Sequence, residues 1–200
     1  MTVKKLREKL NDLKEEKSNK MDRTKKNRQW KIFIGIGTLL LVLAIFSYLE
    51  QLQGHGNQIP QIGKKINNLS LTSSDGNNVN LSDYRGKVLL INSWATWCPP
   101  CKAEMPTLET YYQNNKAAGF EILAINAGES KDVATKFKQS NGITFPIMLD
   151  TKGDIIEALG ITGLPTSILV NRDGIVEYIH VGMFFENDLE NIISPVINRK

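Results

Sequence analysis

Residues 87–101 read KVLLINSWATWCPPC and contain both cysteines of the 200-residue chain, Cys98 and Cys101. A disulfide between positions three apart closes a very small loop. It removes little unfolded-state entropy, about 2 kcal/mol by loop-closure arithmetic, so it makes a poor staple. Two thiolates alone do not complete a structural zinc site, which takes four ligands. What remains is a bond that opens and closes. A C-x-x-C that follows a strand and opens a helix is the arrangement for thiol–disulfide exchange. Cys98 is expected at the exposed helix N-terminus, where the macrodipole and free N–H groups stabilise a thiolate. It is the candidate nucleophile. Cys101, one turn further in, is expected to be more buried and to resolve the mixed disulfide.

The neighbours of the thiols carry further expectations. Pro99 and Pro100 remove two backbone N–H groups beside the sulfurs, which favours a more reducing couple. Glu104 stands three residues after Cys101, and i and i+3 share a helix face. A buried Glu104 with a raised pKa would exchange a proton with Cys101; the alternative is a solvated helix glutamate. Trp94 and Trp97 are expected to supply packing and a rim. His180, mid-strand, and His55 have no cysteine or carboxylate partner in view and are read as structural.

Outward from this stretch the chain alternates strands and helices. Lys87–Ser93 is nearly all apolar, as in a buried central strand. A hairpin is predicted from Leu69–Thr72 and Val79–Leu81 around Ser74-Asp75-Gly76-Asn77. The helix from the C-x-x-C should run to about Ala118, stop at Gly119 and bend at Pro106. A strand at Phe120–Asn126 and a helix at Lys131–Gln139, capped by Ser130, come next. Ile147–Leu149 reads as a strand and Asp154–Leu159 as a helical piece. After the Gly163-Leu164-Pro165 turn, Thr166–Val170 and Ile175–Val181 form a hairpin about Arg172-Asp173-Gly174. A final helix spans about Glu186–Ile197. This order implies an α/β domain with a mixed sheet and helices on both faces.

The charge is divided unevenly. Residues 1–31 hold 12 Lys/Arg against 5 Asp/Glu, and residues 32–200 hold 13 against 16. Ile32–Leu49 carries no charge at all. As a helix it would span roughly 27 Å, enough to cross a thin hydrocarbon core, with Trp30 and Tyr48 at the interfaces. A cleaved secretory signal would have a shorter apolar core and a small-x-small site, and Ser47–Gln51 offers none. The expected order is a cytoplasmic basic tail (1–31), a signal anchor (32–49), a linker (50–62) and a domain (63–200). The positive-inside rule keeps the tail in the cytoplasm and turns the domain outward. Arg23, Lys25, Lys26, Arg28 and Lys31 suit anionic headgroups of the bilayer. Val3, Leu6, Leu10 and Leu13 have seam-like spacing, but two heptads fit a solvated tail better.

KVLLINSWATW followed by CPPC, Pro106 five residues on, and Gly163-Leu164-Pro165-Thr166 before a strand together resemble a thioredoxin fold. More narrowly, the chain resembles the membrane-anchored, extracytoplasmic thioredoxin-like proteins of the ResA/TlpA type. The likeness covers about residues 63–198 and implies a thioredoxin fold with an N-terminal hairpin and a β-α insert at about Ser130–Asp150. It implies a cis Pro165, whereas sequence alone favours trans. Pro165, with Leu164, Trp97 and Pro99, would then form a substrate-binding rim. It implies an active-site role for Glu104. Asn92 departs from ordinary thioredoxins, which carry a buried aspartate there, so that acid–base role does not transfer.

The activity implied is a thiol–disulfide oxidoreductase that reduces disulfide-bearing proteins, with no cofactor beyond the Cys98–Cys101 disulfide. A membrane reductant of the CcdA type would donate electrons. Substrates would be C-x-x-C-H haem sites of apocytochromes c, or cell-envelope proteins in a sporulation variant. Lys102 follows Cys101, so the chain has no C-x-x-C-H of its own. No nucleic-acid partner is implied, and the oligomeric state is left open. A disulfide-forming oxidant and a non-catalytic binding module remain as alternatives. A peroxide-reducing enzyme would want Thr-x-x-Cys, where this chain has Ala95.

Overall fold

The computed structural model describes residue 35, residues 37–48 and residues 59–199. Residues 37–48 and the domain that follows fall into separate compact units. The segment 37–48 is helical, and Leu39–Leu43, Ile45, Phe46 and Tyr48 are each half or more exposed. Among the described residues no helix is long and apolar enough to cross a membrane. Residues 32–34, 36 and 49 of the expected anchor, the basic tail, Trp30 and His55 lie outside the described residues.

Seven strands form one sheet: β1 (Ser70–Ser73), β2 (Asn78–Asn80), β3 (Val88–Trp94), β4 (Phe120–Ala127), β5 (Ile147–Asp150), β6 (Thr166–Val170) and β7 (Val176–Val181). Their order is β2-β1-β5-β4-β3-β6-β7. β3 lies inside the sheet, parallel to β4 and antiparallel to β6, and all seven of its residues are buried. That is why it reads as an unbroken apolar run. Helix α1 (Pro99–Asn115) links β3 to β4, and α2 (Lys131–Ser140) links β4 to β5. Both crossovers step the same way along the sheet. Right-handedness therefore puts both helices on one face.

The two faces are separate cores. Val88, Leu90 and Trp94 of β3 pack with Met105 and Leu108 of α1, and Phe137 of α2 packs against the same cluster. The C-terminal helical run, Glu186–Asp188, Leu189–Ile193 and Ser194–Asn198 (together α4), adds Leu189 and Ile193. Leu89 and Ile91 point to the opposite face with Leu123, Ile168 and Val176, where Ile155 and Ile156 of the short α3 (Asp154–Ala158) pack. Helices thus cover both faces, three on one side and α3 with a 3-10 turn on the other. Alternation along β3 sends Asn92 to the α1 face with Leu90 and Trp94.

Several boundaries moved. Leu81 is not in a strand: it opens a 3-10 turn, Leu81–Tyr84, whose entry Asn80 N–H is held by the Asp83 carboxylate at 2.9 Å. α1 continues through Pro106 to Asn115 and then tightens into a 3-10 turn ending at Gly119. Gly119 sits at φ +85°, a left-handed closure that favours glycine. The last helix is broken by a π-turn at Leu189–Ile193 that leads into Pro195. Pro195 has no N–H to donate back to Asn191, and Ser194 N–H bonds Leu189 O five residues back. Pro60 is buried and Ile59 packs over Gly160, so the domain begins before Gly63 and the linker is shorter than expected.

Candidate active site

α1 begins at the thiols because proline is tolerated in a first helical turn. Cys98 is its N-cap, Pro99 and Pro100 occupy the first two helical positions, and Cys101 the third. The cysteines are joined, with Cα atoms 5.3 Å apart. Cys101 N–H donates to Cys98 Sγ at 3.3 Å. The prolines supply no N–H, and Cys98 N–H is committed to Ala95 O at 3.2 Å. One backbone donor therefore serves a sulfur that a non-proline helix start would offer several.

Cys98 is not the exposed thiol expected from its place at the helix end. It is 4% accessible and Cys101 is fully buried, both within the apolar cluster against which Leu164 packs. The exposed parts of the rim are Trp97, at 65%, with Pro99 and Pro100.

Glu104 does not face water. Cys101, Glu104, Met105 and Leu108 form one buried stripe on α1. Its Oε1 accepts from Asn92 Nδ2 at 2.8 Å and its Oε2 from Phe184 N–H at 2.8 Å. Burial pushes its pKa up to about 7, against these two hydrogen bonds, which favour the ionised form. The group titrates near neutrality, where a proton acceptor for a thiol is effective.

The Leu164–Pro165 peptide is cis. Pro165 is buried beside β6, and its carbonyl accepts from Gly182 N–H at 2.9 Å. Thr166 N–H donates to Ser93 Oγ at 3.1 Å. The loop's inner groups are thus used internally, and the half-buried Leu164 packs against the cluster that holds the thiols.

Sequence reasoning missed two supports. Glu129, after β4, accepts from Thr96 N–H at 2.8 Å, from Thr96 Oγ1 and from Asn126 Nδ2 at 2.7 Å. It ties the loop before Cys98 to the end of β4. The second is Ser167, whose Oγ accepts from Asn92 Nδ2 at 3.0 Å. Trp94 is packed against Phe137, ring centroids 4.8 Å apart, as a core residue. His180 stacks on Phe184 at 4.2 Å, with Nε2 3.3 Å from Met183 O. Among the described residues no cluster of side chains could hold a metal ion.

The Redoxin family profile matches residues 56–193. The chain belongs to the Redoxin family. This Redoxin protein is 35% identical over 169 residues to the thiol-disulfide oxidoreductase ResA of Bacillus subtilis, covering 82% of this chain and 94% of that one. It is 34% identical to ResA of Geobacillus kaustophilus, covering 84% and 98%. Among solved structures it matches StoA of Bacillus subtilis with a TM-score of 0.56 and 26% identity, over 64% of this chain and 96% of that one. A Chlorobium tepidum structure, solved as a candidate thiol:disulfide interchange protein DsbE, matches with a TM-score of 0.65 and 32% identity, over 70% and 99%. The Redoxin protein is a ResA-type, thioredoxin-like thiol–disulfide oxidoreductase that acts on disulfide-bearing proteins through Cys98 and Cys101.

Proposed function

We propose that the protein is a membrane-tethered, extracytoplasmic reductase of protein disulfides. The observation that carries the direction is the single N–H on Cys98 Sγ, with prolines at both preceding helical positions. A sulfur with few donors holds a thiolate less well, and a less stable dithiolate state makes a stronger reductant. The apolar run 32–49, uncharged and preceded by a net +7 segment, supports the tether and its outward orientation. The resemblance to ResA-type proteins supports a membrane donor of the CcdA type. It also supports as substrates the haem-site cysteines of apocytochromes c, or cell-envelope proteins.

In this reading Cys98 thiolate attacks a substrate disulfide, forms a mixed disulfide and expels one substrate thiolate. Cys101 passes its proton to the Glu104 carboxylate and attacks Cys98 Sγ. The second substrate thiol leaves and the Cys98–Cys101 disulfide forms. Two electrons pass from the dithiol to the substrate, and the membrane donor restores them. The exposed Trp97 and the Leu164 backbone bracket the substrate segment.

A Cys101→Ala variant expressed as the full chain should accumulate a mixed disulfide through Cys98, whose partner mass spectrometry identifies. The reduction potential should lie well below about −150 mV. A value near or above that figure sinks the reductase reading in favour of an oxidant. Activity that survives replacement of both cysteines by serine would instead mark a binding module.

A further inference from the structure

A row of polar side chains crosses the sheet beneath the first turns of α1. Asn92 on β3 pairs directly with Ser167 on β6, and Ser167 pairs in turn with His180 on β7. Asn92 and Ser167 are buried completely or nearly so, at 0% and 1%. Both amide hydrogens of Asn92 are assigned, one to Glu104 Oε1 and one to Ser167 Oγ. Its Oδ1 is buried with no partner among the described residues. A buried acceptor without a donor is costly, so its retention asks for a reason.

The reason lies in what Glu104 needs in its two states. An ionised carboxylate needs donors, and Asn92 Nδ2 and Phe184 N–H provide them. A protonated carboxyl needs an acceptor for its O–H. Phe184 offers only an N–H on the Oε2 side, so the proton belongs on Oε1. There a half-turn of the Asn92 amide brings Oδ1 into the place of Nδ2. Ser167 follows either orientation, since a hydroxyl both accepts and donates. An aspartate at position 92 would have no such pair of faces: two carboxylates at this distance would have to share one proton.

We propose that Asn92, pinned by Ser167, is the positioning residue that lets Glu104 take up and release a proton, turning its amide to match the carboxyl's state. The proposal rests on the reading of Glu104 as proton acceptor for Cys101, and it assigns the acceptor's partner. The proton that leaves Cys101 Sγ then resides on Glu104 Oε1, bonded to Asn92 Oδ1, until solvent or the next thiolate removes it. Cys98 and Cys101 on α1 are joined and do not titrate in this state, and from the β7 side His180 stacks on Phe184, whose N–H holds Glu104. No other charged side chain hydrogen-bonds to Glu104 or Asn92 among the described residues.

The test is a carboxyl titration by NMR on the full-length protein in detergent, carbon-13 labelled at glutamate, in the oxidised state. Glu104→Gln identifies the Glu104 signal. The nearly isosteric Asn92→Asp should raise the Glu104 midpoint by one pH unit or more and make the titration biphasic, as for a carboxyl pair sharing a proton. Ser167→Ala, which keeps the amide but frees it to turn, should move the midpoint by less and broaden the Asn92 side-chain amide resonances. A Glu104 midpoint within about 0.2 unit of wild type in Asn92→Asp overturns the proposal. If Asn92→Asp does not fold, Ser167→Ala decides alone, and unaltered Asn92 amide resonances across the titration overturn the proposal. Exchange kinetics read the underlying assumption separately. A Glu104→Gln protein with a wild-type pH profile removes Glu104 from catalysis, whatever the titration shows about Asn92.

Discussion

Glu104 owes its high proton affinity to removal from water, because both of its hydrogen bonds act the other way. Glu109, on the same helix, ends with its pKa lowered. Burial still raises it, but hydrogen bonds from Thr144, Gln113 and Phe145 together outweigh that. The difference is the depth of each position on α1. For Glu104 the folded protein binds a proton that the unfolded chain has already lost between its ordinary value and about 7. Stability should therefore fall as pH rises through that window, by on the order of 3 kcal/mol, and level off above it. Denaturant unfolding of oxidised protein from pH 4.5 to 8 checks this. Glu104→Gln should flatten the profile and be the more stable form at pH 8. A wild-type slope in that variant would assign the dependence to other groups.

At the scale of an element, α1 is an apolar stripe with an ionisable group set into it and a start that lacks donors. Leu108 is fully buried within the stripe. Leu108→Ala should cost about 2–5 kcal/mol, measured by urea unfolding. The helix start affects the redox couple instead. Replacing Pro99 and Pro100 together by alanine returns two N–H groups to the region of Cys98 Sγ. The Cys98 pKa should fall, and the reduction potential should rise on the order of 30 mV or more. Alkylation rates against pH and equilibration with glutathione give the two quantities. An unchanged potential would show that the donors are not what poises the couple. On this element, the prolines, the cysteines and the spacing to Glu104 were all legible in the sequence. That Cys98 is buried in the apolar cluster was not, because that cluster gathers residues distant in sequence, with Leu164 packed against it.

At the scale of the molecule, the domain carries the thiol pair and the segment ahead of it is a separate unit. Residues 37–48 form a helix whose large apolar side chains are all accessible, and the proposed membrane tether would cover them. The full chain should sediment with membranes and resist extraction by alkaline carbonate; release into the supernatant would remove the anchor. Strand and helix order, the central position of β3 and the thiol pair were readable because each is a local pattern of period, cap or spacing. So were the split of charge and the apolar run. Where the C-terminal helix slips into a π-turn was decided around Pro195, by one missing N–H. How Asn92, Ser167 and Phe184 meet Glu104 was decided only by the fold. They come from β3, from β6 and from the turn after β7, and cross-strand register and burial bring them together. Sequence by itself pointed to thiol–disulfide exchange at Cys98 and Cys101. Only the tertiary structure decided which groups surround Glu104 and how its burial raises its pKa, since a carboxyl's pKa depends on the water and dipoles around it and not on its neighbours along the chain.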